Sequence, residues 1–99
     1  GPKQVEKIVE INGYDVEVPM ADHFIVMLYT DRPGIVGVYG KVFGDAQINI
    51  AGMQIARQQK GGQALSVLTV DSPVPAGLLQ SVASAIDASL MRQIDVVAG

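Results

Sequence analysis

The spacing of the apolar residues alternates between a strand period and a helix period, and this order limits the fold more than any other feature of the chain. The strand-like runs are residues 24–30, 48–57, 63–70 and 91–97, and the helical runs are residues 35–43 and 75–86. The resulting order is β-α-β-β-α-β, in which two helices cover one face of a four-stranded antiparallel sheet. We therefore predict an α+β domain with a ferredoxin-like βαββαβ sandwich.

Turn signals separate these runs. Residues 31–34 read Asp-Arg-Pro-Gly and break the first strand before the first helix. Residues 58–62 are polar and end in a glycine pair, which suits a hairpin connection. Pro75 suits the first position of the second helix. The turns therefore support the same six elements.

A hairpin is predicted ahead of this domain. The Asn-Gly pair at residues 12–13 is typical of a type I′ turn, and closing it pairs Ile11 with Tyr14. An isolated two-stranded ribbon is marginal in water, so its apolar face needs a partner. We interpret residues 1–20 as the remnant of a cleaved tag followed by the hairpin tail of a preceding domain, and residues 21–99 as the domain itself.

The composition excludes several functional classes. The chain has 99 residues, of which seven are basic and ten acidic, and no basic cluster could neutralise successive phosphates. We therefore expect no nucleic-acid partner. No apolar run approaches the roughly 20 residues of a membrane-spanning helix, and no secretory signal is present. We expect a cytoplasmic protein with no membrane partner.

No pattern in the sequence predicts catalysis or a metal site. Cysteine is absent, and the only histidine, His23, has no His or Cys near it in the sequence. No nucleophile and base are paired, and no phosphate-binding loop is present. We predict no catalytic residue and no bound metal.

Glycines are concentrated along the first helix, where each interior one costs about 0.5–1 kcal/mol relative to alanine. They are Gly34, Gly37, Gly40 and Gly44. Two explanations remain open. The helix could pack closely on its own sheet or a neighbouring loop, or a ligand or second subunit could approach its backbone.

Two polar residues are candidates for a ligand site. Asp31 precedes the first helix, where free backbone N–H groups can take a carboxylate while Asp31 takes an ammonium, the two charges of an amino acid. Asp31 could instead be an N-cap, the commonest use of Asp before a helix. Asn49 could point its amide at a ligand or bond a neighbouring turn.

Four segments resemble the ACT domains found at the carboxy-terminal end of the D-3-phosphoglycerate dehydrogenase family. They are VEINGYDVEV at residues 9–18, YTDRPGIVG at 29–37, QINIAGMQ at 47–54 and GGQA at 61–64. The first resembles the tail of the intervening domain of the long bacterial enzymes. The other three match the ACT motifs in order and spacing.

The resemblance implies an amino-acid sensor. In the family, two ACT domains pair side by side and L-serine, the end product, binds at their interface as a feedback inhibitor. NAD would belong to the parent enzyme, which we expect to be a tetramer, and no cofactor is expected in this chain. The implied ligand contacts are Tyr29, Asp31, Pro33, Gly34, Ile35, Val36, Asn49 and Ile50.

The resemblance also implies a role for each part of the site. Tyr29 and Asp31 would come from one subunit, and Asn49 would face them from the other. Asp31 would hold the ligand ammonium, while the amides near Gly34 and Ile35 would help to hold its carboxylate. Some family members carry His and Asn where this chain has Tyr29 and Asp31.

Two other functions stay open. The ACT domain of iron–sulfur L-serine dehydratases is similar in the hairpin and in the segment around Asn49. Alternatively, the domain could oligomerise its parent enzyme without binding any ligand.

Overall fold

The structure, a computed structural model, describes residues 6–11, 13–57 and 62–96. A hairpin comes first, followed by the six elements that the sequence predicts. The elements are β1 (Glu6–Ile11), β2 (Tyr14–Pro19), β3 (His23–Thr30), α1 (Ile35–Asp45), β4 (Ile50–Arg57), β5 (Gln63–Val70), α2 (Ala76–Ile86) and β6 (Leu90–Asp95). The predicted fold class, a ferredoxin-like ACT fold, is confirmed.

The four strands of the main sheet lie in the order β4-β5-β3-β6, and all neighbours are antiparallel. Because β5 lies between β3 and β4, those two strands run parallel to each other and finish at the same end of the sheet. β4 and β6 form the two edges. Each helix connects two strands that are separated by a third, which is the split βαβ arrangement.

The core lies on both faces of this sheet, because successive residues of a strand point to opposite sides. On β3, Ile25, Met27 and Tyr29 pack with both helices, while Val26 and Leu28 belong to a second cluster on the other face. β5 alternates in the same way, and all of its residues from 64 to 70 are buried. A strand buried on both faces reads as a continuous apolar run.

The hairpin covers the second face of the sheet. Tyr14 and Val16 are 7% and 4% exposed and pack in one cluster with apolar side chains of β3 and β5. The Tyr14 hydroxyl donates to the Gln63 carbonyl oxygen at 3.2 Å. The partner expected for the hairpin's apolar face thus lies within the chain, and the described part forms three layers: helices, sheet and hairpin.

The hairpin register agrees with the prediction. Ile11 pairs with Tyr14, and Val9 pairs with Val16. Gly13 has φ +83°, the left-handed conformation that the second position of a type I′ turn requires. Residue 12, the other turn residue, lies outside the described residues, as do residues 58–61 of the predicted β4–β5 connection.

Several boundaries differ from the prediction. α1 ends two residues later than predicted, at Asp45, and β4 begins two residues later than predicted, at Ile50. The residues between them terminate the helix. Gln47 adopts φ +62°, its N–H bonds the Gly44 oxygen at 3.0 Å, and the Ile48 N–H bonds the Phe43 oxygen at 2.9 Å. This is a Schellman motif, which uses residues that otherwise extend the strand.

The ends of α2 and β6 also differ. Pro75 is the N-cap of α2 in an extended conformation, with φ −60° and ψ 143°, and its carbonyl accepts the first helical hydrogen bonds. The last strand begins one residue earlier than predicted and ends at Asp95. Neither described helix has the length and apolarity to cross a membrane.

Candidate functional site

Asp31 lies just after β3 and is bound to the ends of two other strands. Its backbone N–H donates to the Gly62 carbonyl oxygen at 2.7 Å. Its carboxylate pairs with the guanidinium of Arg57, the last residue of β4, with 2.8 Å between Arg57 Nε and Asp31 Oδ2. The Asp31 side chain is 19% exposed. The carboxylate is therefore held in place and still reaches solvent.

Asp31 does not cap α1, so the capping alternative is wrong. The N-cap is Gly34, which has φ +90° and no side-chain cap bond. Only glycine adopts this φ without strain. The left-handed turn at Gly34 starts the helix three residues after Asp31.

The start of α1 is suited to an anion. The first helical bond runs from the Val38 N–H to the Gly34 oxygen at 3.0 Å, so the preceding N–H groups of the first turn have no acceptor within the helix. The first turn contains no acidic residue that could offset the positive end of the helix dipole. A carboxylate could accept hydrogen bonds here.

The other predicted contacts around the helix start differ in exposure. Pro33 and Gly34 are exposed, and Val36 is 38% exposed. Ile35 is 4% exposed and its side chain packs in the helix-side core. Ile35 can therefore offer a ligand only its backbone.

Tyr29 lies in the core rather than on the surface that Asp31 reaches. It is 2% exposed, and its hydroxyl is 2.7 Å from Ser66 Oγ. The Tyr39 hydroxyl is 3.4 Å from the same Ser66 oxygen, and the two tyrosine rings meet edge to face at 6.2 Å between centroids. The Tyr29 hydroxyl is thus bonded within the chain.

This buried group of hydroxyls was not predicted from the sequence. The Tyr39 hydroxyl also contacts Met53 Sδ at 3.1 Å, so the group extends to the edge strand β4. Burial raises the pKa of Tyr39 to about 12, so this hydroxyl stays protonated. Ser66, a polar residue inside the apolar strand β5, could have predicted this group, because a buried hydroxyl needs a hydrogen-bond partner.

Asn49 and Ile50 lie at the opposite end of the sheet from Asp31. Asn49 donates its side-chain amide to the Asp71 carboxylate in the turn after β5. β4 has 8 residues, so its ends are roughly 23 Å apart at about 3.3 Å per residue. Within one chain, Asn49 and Asp31 are not brought together.

The glycines of α1 have no packing explanation within the described residues. A Cβ added at Gly37, Gly40 or Gly44 would meet no described atom outside the helix backbone within 4 Å. Close packing on the sheet or on a neighbouring described loop is therefore not what requires them. Approach of another molecule remains as an explanation.

A half-open cleft of about 430 Å³ lies elsewhere, between the hairpin linker and the start of β4. Residues 19–23 line one side, and Gly52, Thr69 and Asp71 line the other. None of the predicted ligand contacts lines this cleft. Among the described residues, no three His, Cys, Asp or Glu side chains are placed to hold a metal ion.

Comparison with known proteins gives consistent relatives. No protein-family model matches the chain. The chain is 33% identical over 91 residues to the D-3-phosphoglycerate dehydrogenase of Bacillus subtilis, which is 92% of the chain and 17% of that protein. The Mycobacterium tuberculosis H37Rv enzyme of the same name is 32% identical over 96 residues, 97% of the chain and 18% of that protein.

An archaeal relative agrees with these two. The D-3-phosphoglycerate dehydrogenase of Archaeoglobus fulgidus is 41% identical over 69 residues, 68% of the chain and 13% of that protein. The chain thus spans less than a fifth of the length of each of these relatives.

Proposed function

The chain is homologous to a small domain of D-3-phosphoglycerate dehydrogenases, and from this premise we propose that it is the regulatory, amino-acid-binding domain of such an enzyme. It binds L-serine at the interface of a homodimer and mediates feedback inhibition. The NAD site and the hydride transfer belong to other parts of the longer cytoplasmic enzyme, which assembles as a tetramer.

One observation carries the proposal. A carboxylate that is held in place and partly exposed, that of Asp31, precedes a helix start with no side-chain cap and no acidic residue. An α-amino acid carries one ammonium group and one carboxylate group on the same carbon. Asp31 takes the ammonium, and the backbone near Gly34 and Ile35 takes the carboxylate.

The sheet topology supports a site shared between two copies. β4 is an edge strand, and an edge can pair with the same edge of a second copy. In antiparallel pairing about a two-fold axis, the start of β4 in one copy lies beside the end of β4 in the other. Asn49 of the second copy then approaches Asp31, although the two are far apart within one chain.

The surface near this edge suits association. Met53 on β4 is 42% exposed, and Val36 and Val38 on α1 are each 38% exposed. The glycines of α1 would let a second copy approach the helix backbone. The result is one ligand site at each end of the interface.

A purely oligomerising domain is the second candidate, because one ion pair and one hydrogen bond within the chain favour it. Asp31 is already paired with Arg57, and Asn49 already bonds Asp71. If neither residue exchanges these partners for a ligand, the domain assembles the enzyme without sensing serine.

Titration calorimetry separates the two candidates. L-serine, D-serine, glycine and L-alanine are titrated at protein concentrations where light scattering shows a dimer. We expect selective binding of L-serine, and loss of that binding in Asp31→Asn, which keeps the shape but removes the charge. Asp45→Asn is the matched control, since Asp45 is exposed near the other end of α1.

Two outcomes contradict the proposal. A confirmed dimer that does not respond to L-serine leaves only the assembly role. A chain that stays monomeric at millimolar concentration contradicts the shared site.

A further inference from the structure

Arg57 is a charged residue of the candidate site that was not predicted from the sequence. It is the last residue of the edge strand β4, and its side chain is 57% exposed. Its Nε lies 2.8 Å from Oδ2 of Asp31, whose side chain is only 19% exposed. The acid is therefore the recessed member of the pair, and the guanidinium is the outer one.

Within the described residues, the pair leaves hydrogen-bonding capacity on both partners. A guanidinium has five N–H donors in a planar fork, and in this ion pair its Nε is the nitrogen that lies 2.8 Å from the Asp31 carboxylate. A carboxylate has two oxygens, and the ion pair places Oδ2 of Asp31 next to Arg57. Both side chains can therefore accept a second partner without separating from each other.

We propose that Arg57 binds the α-carboxylate of the amino-acid ligand while Asp31 binds its ammonium, so that the ligand adds to the existing ion pair. This inference rests on the proposed function. A guanidinium matches a carboxylate in geometry and charge, and such bonds are the stronger kind. Arg57 acts together with the backbone N–H groups at the start of α1.

The alternative to this role is competition. If Arg57 only occupies Asp31 in place of the ligand ammonium, then removing Arg57 should strengthen binding. If Arg57 holds the ligand carboxylate, removing it should weaken binding. The sign of the change therefore distinguishes the two roles.

The Arg57 side chain is 57% exposed, so solvent screens its charge and the pair contributes little to folding stability. Arg57 can therefore be changed without unfolding the chain. Arg57→Gln keeps the length and polarity of the side chain and removes its charge. Arg92→Gln is the matched control, since Arg92 is an exposed arginine on the opposite edge strand β6.

The test is calorimetric titration of the 99-residue chain and both variants with L-serine and with L-serine amide, which lacks the carboxylate charge. We expect Arg57→Gln to raise the Kd for L-serine on the order of tenfold to a hundredfold and to leave the Kd for L-serine amide nearly unchanged. Arg92→Gln should leave both affinities unchanged.

Each remaining outcome overturns a stated claim. Tighter L-serine binding by Arg57→Gln identifies a competitor of the ligand, and unchanged binding removes Arg57 from the site. Equal weakening for serine and serine amide shows that Arg57 only positions Asp31. If the unaltered chain binds no serine as a dimer, the proposed function itself fails, which is a different result from any of these.

Discussion

At the residue scale, the buried hydroxyls of Tyr29, Tyr39 and Ser66 separate a structural role from a ligand contact. Ser66 is fully buried, so its hydroxyl needs the bonds that the two tyrosines supply. The resemblance assigns Tyr29 to the ligand, whereas its hydroxyl is bonded inside the core. The free energy of unfolding measures the structural role of the Tyr29 hydroxyl, and the affinity for L-serine measures its role as a ligand contact.

Tyr29→Phe removes the 2.7 Å bond to Ser66 and should lower the free energy of unfolding by about 1–2 kcal/mol. If the Tyr29 hydroxyl also contacts serine, the affinity falls as well. Chemical denaturation and calorimetry on one preparation give both numbers. Tyr39→Phe is the control, because it perturbs the same hydroxyls at a residue with no predicted ligand contact.

The pKa of Tyr39 predicts a pH effect on stability. Burial raises this pKa from 10.0 to about 12, so the unfolded chain loses the proton first as pH rises. The free energy of unfolding keeps its full value below pH 10 and should fall by about 2–3 kcal/mol between pH 10 and pH 12. Denaturation at pH 9, 10, 11 and 12 should show this loss. The same loss in Tyr39→Phe would assign it to other groups.

At the element scale, the order of strands and helices was predictable because each element has its own apolar period. The residues at which the elements begin and end were less predictable. α1 ends in a Schellman motif with Gln47 at the left-handed position, where glycine is the usual signal. No local pattern marks Gln47 for that conformation, and the start of β4 moved with it.

The candidate site was predictable only in part, because some of its contacts join residues that are far apart in the sequence. Asp31 and the uncapped helix start are neighbours in the sequence, so their proximity follows from local structure. The pairing of Asp31 with Arg57 depends on β3 and β4 finishing together across β5. The two parallel strands of a split βαβ unit finish at the same end of the sheet. Two opposite charges at those strand ends therefore predict an ion pair.

The glycines of α1 give a prediction at this scale. Gly37→Ala adds a Cβ that meets no described atom outside the helix backbone within 4 Å, so the helix should gain about 0.5–1 kcal/mol. A second copy packed on α1 would make the same change weaken the dimer. The melting temperature of the monomer should therefore rise, while sedimentation should show weaker dimerisation.

The control for that experiment is Gly34→Ala. Gly34 has φ +90°, so alanine there should destabilise the chain although space is available for its Cβ. A Gly37→Ala chain that is more stable and dimerises as tightly would show that α1 faces solvent in the dimer.

At the scale of the whole molecule, the hairpin is the third layer of the structure. It covers a sheet face that carries the apolar side chains of Val26, Leu28, Leu65 and Val67. Each such side chain contributes about 1.5–3 kcal/mol when it is fully buried. The sequence predicted only the face that the helices cover, and neither the burial of the second face nor its partner was predicted. The interpretation of residues 1–20 as the tail of another domain stays a prediction.

Deletion of residues 1–20 tests what the hairpin does for the molecule. The remaining β-α-β-β-α-β unit keeps its helix-side core, so we expect circular dichroism to show retained secondary structure. The uncovered sheet face should bind a hydrophobic dye and cause self-association, because large exposed apolar patches promote association. Val26→Thr and Leu28→Thr in the shortened chain should reduce both effects. A shortened chain that has the same oligomeric state and melting temperature as the full one would mean that the hairpin belongs to a separate domain and contributes nothing here.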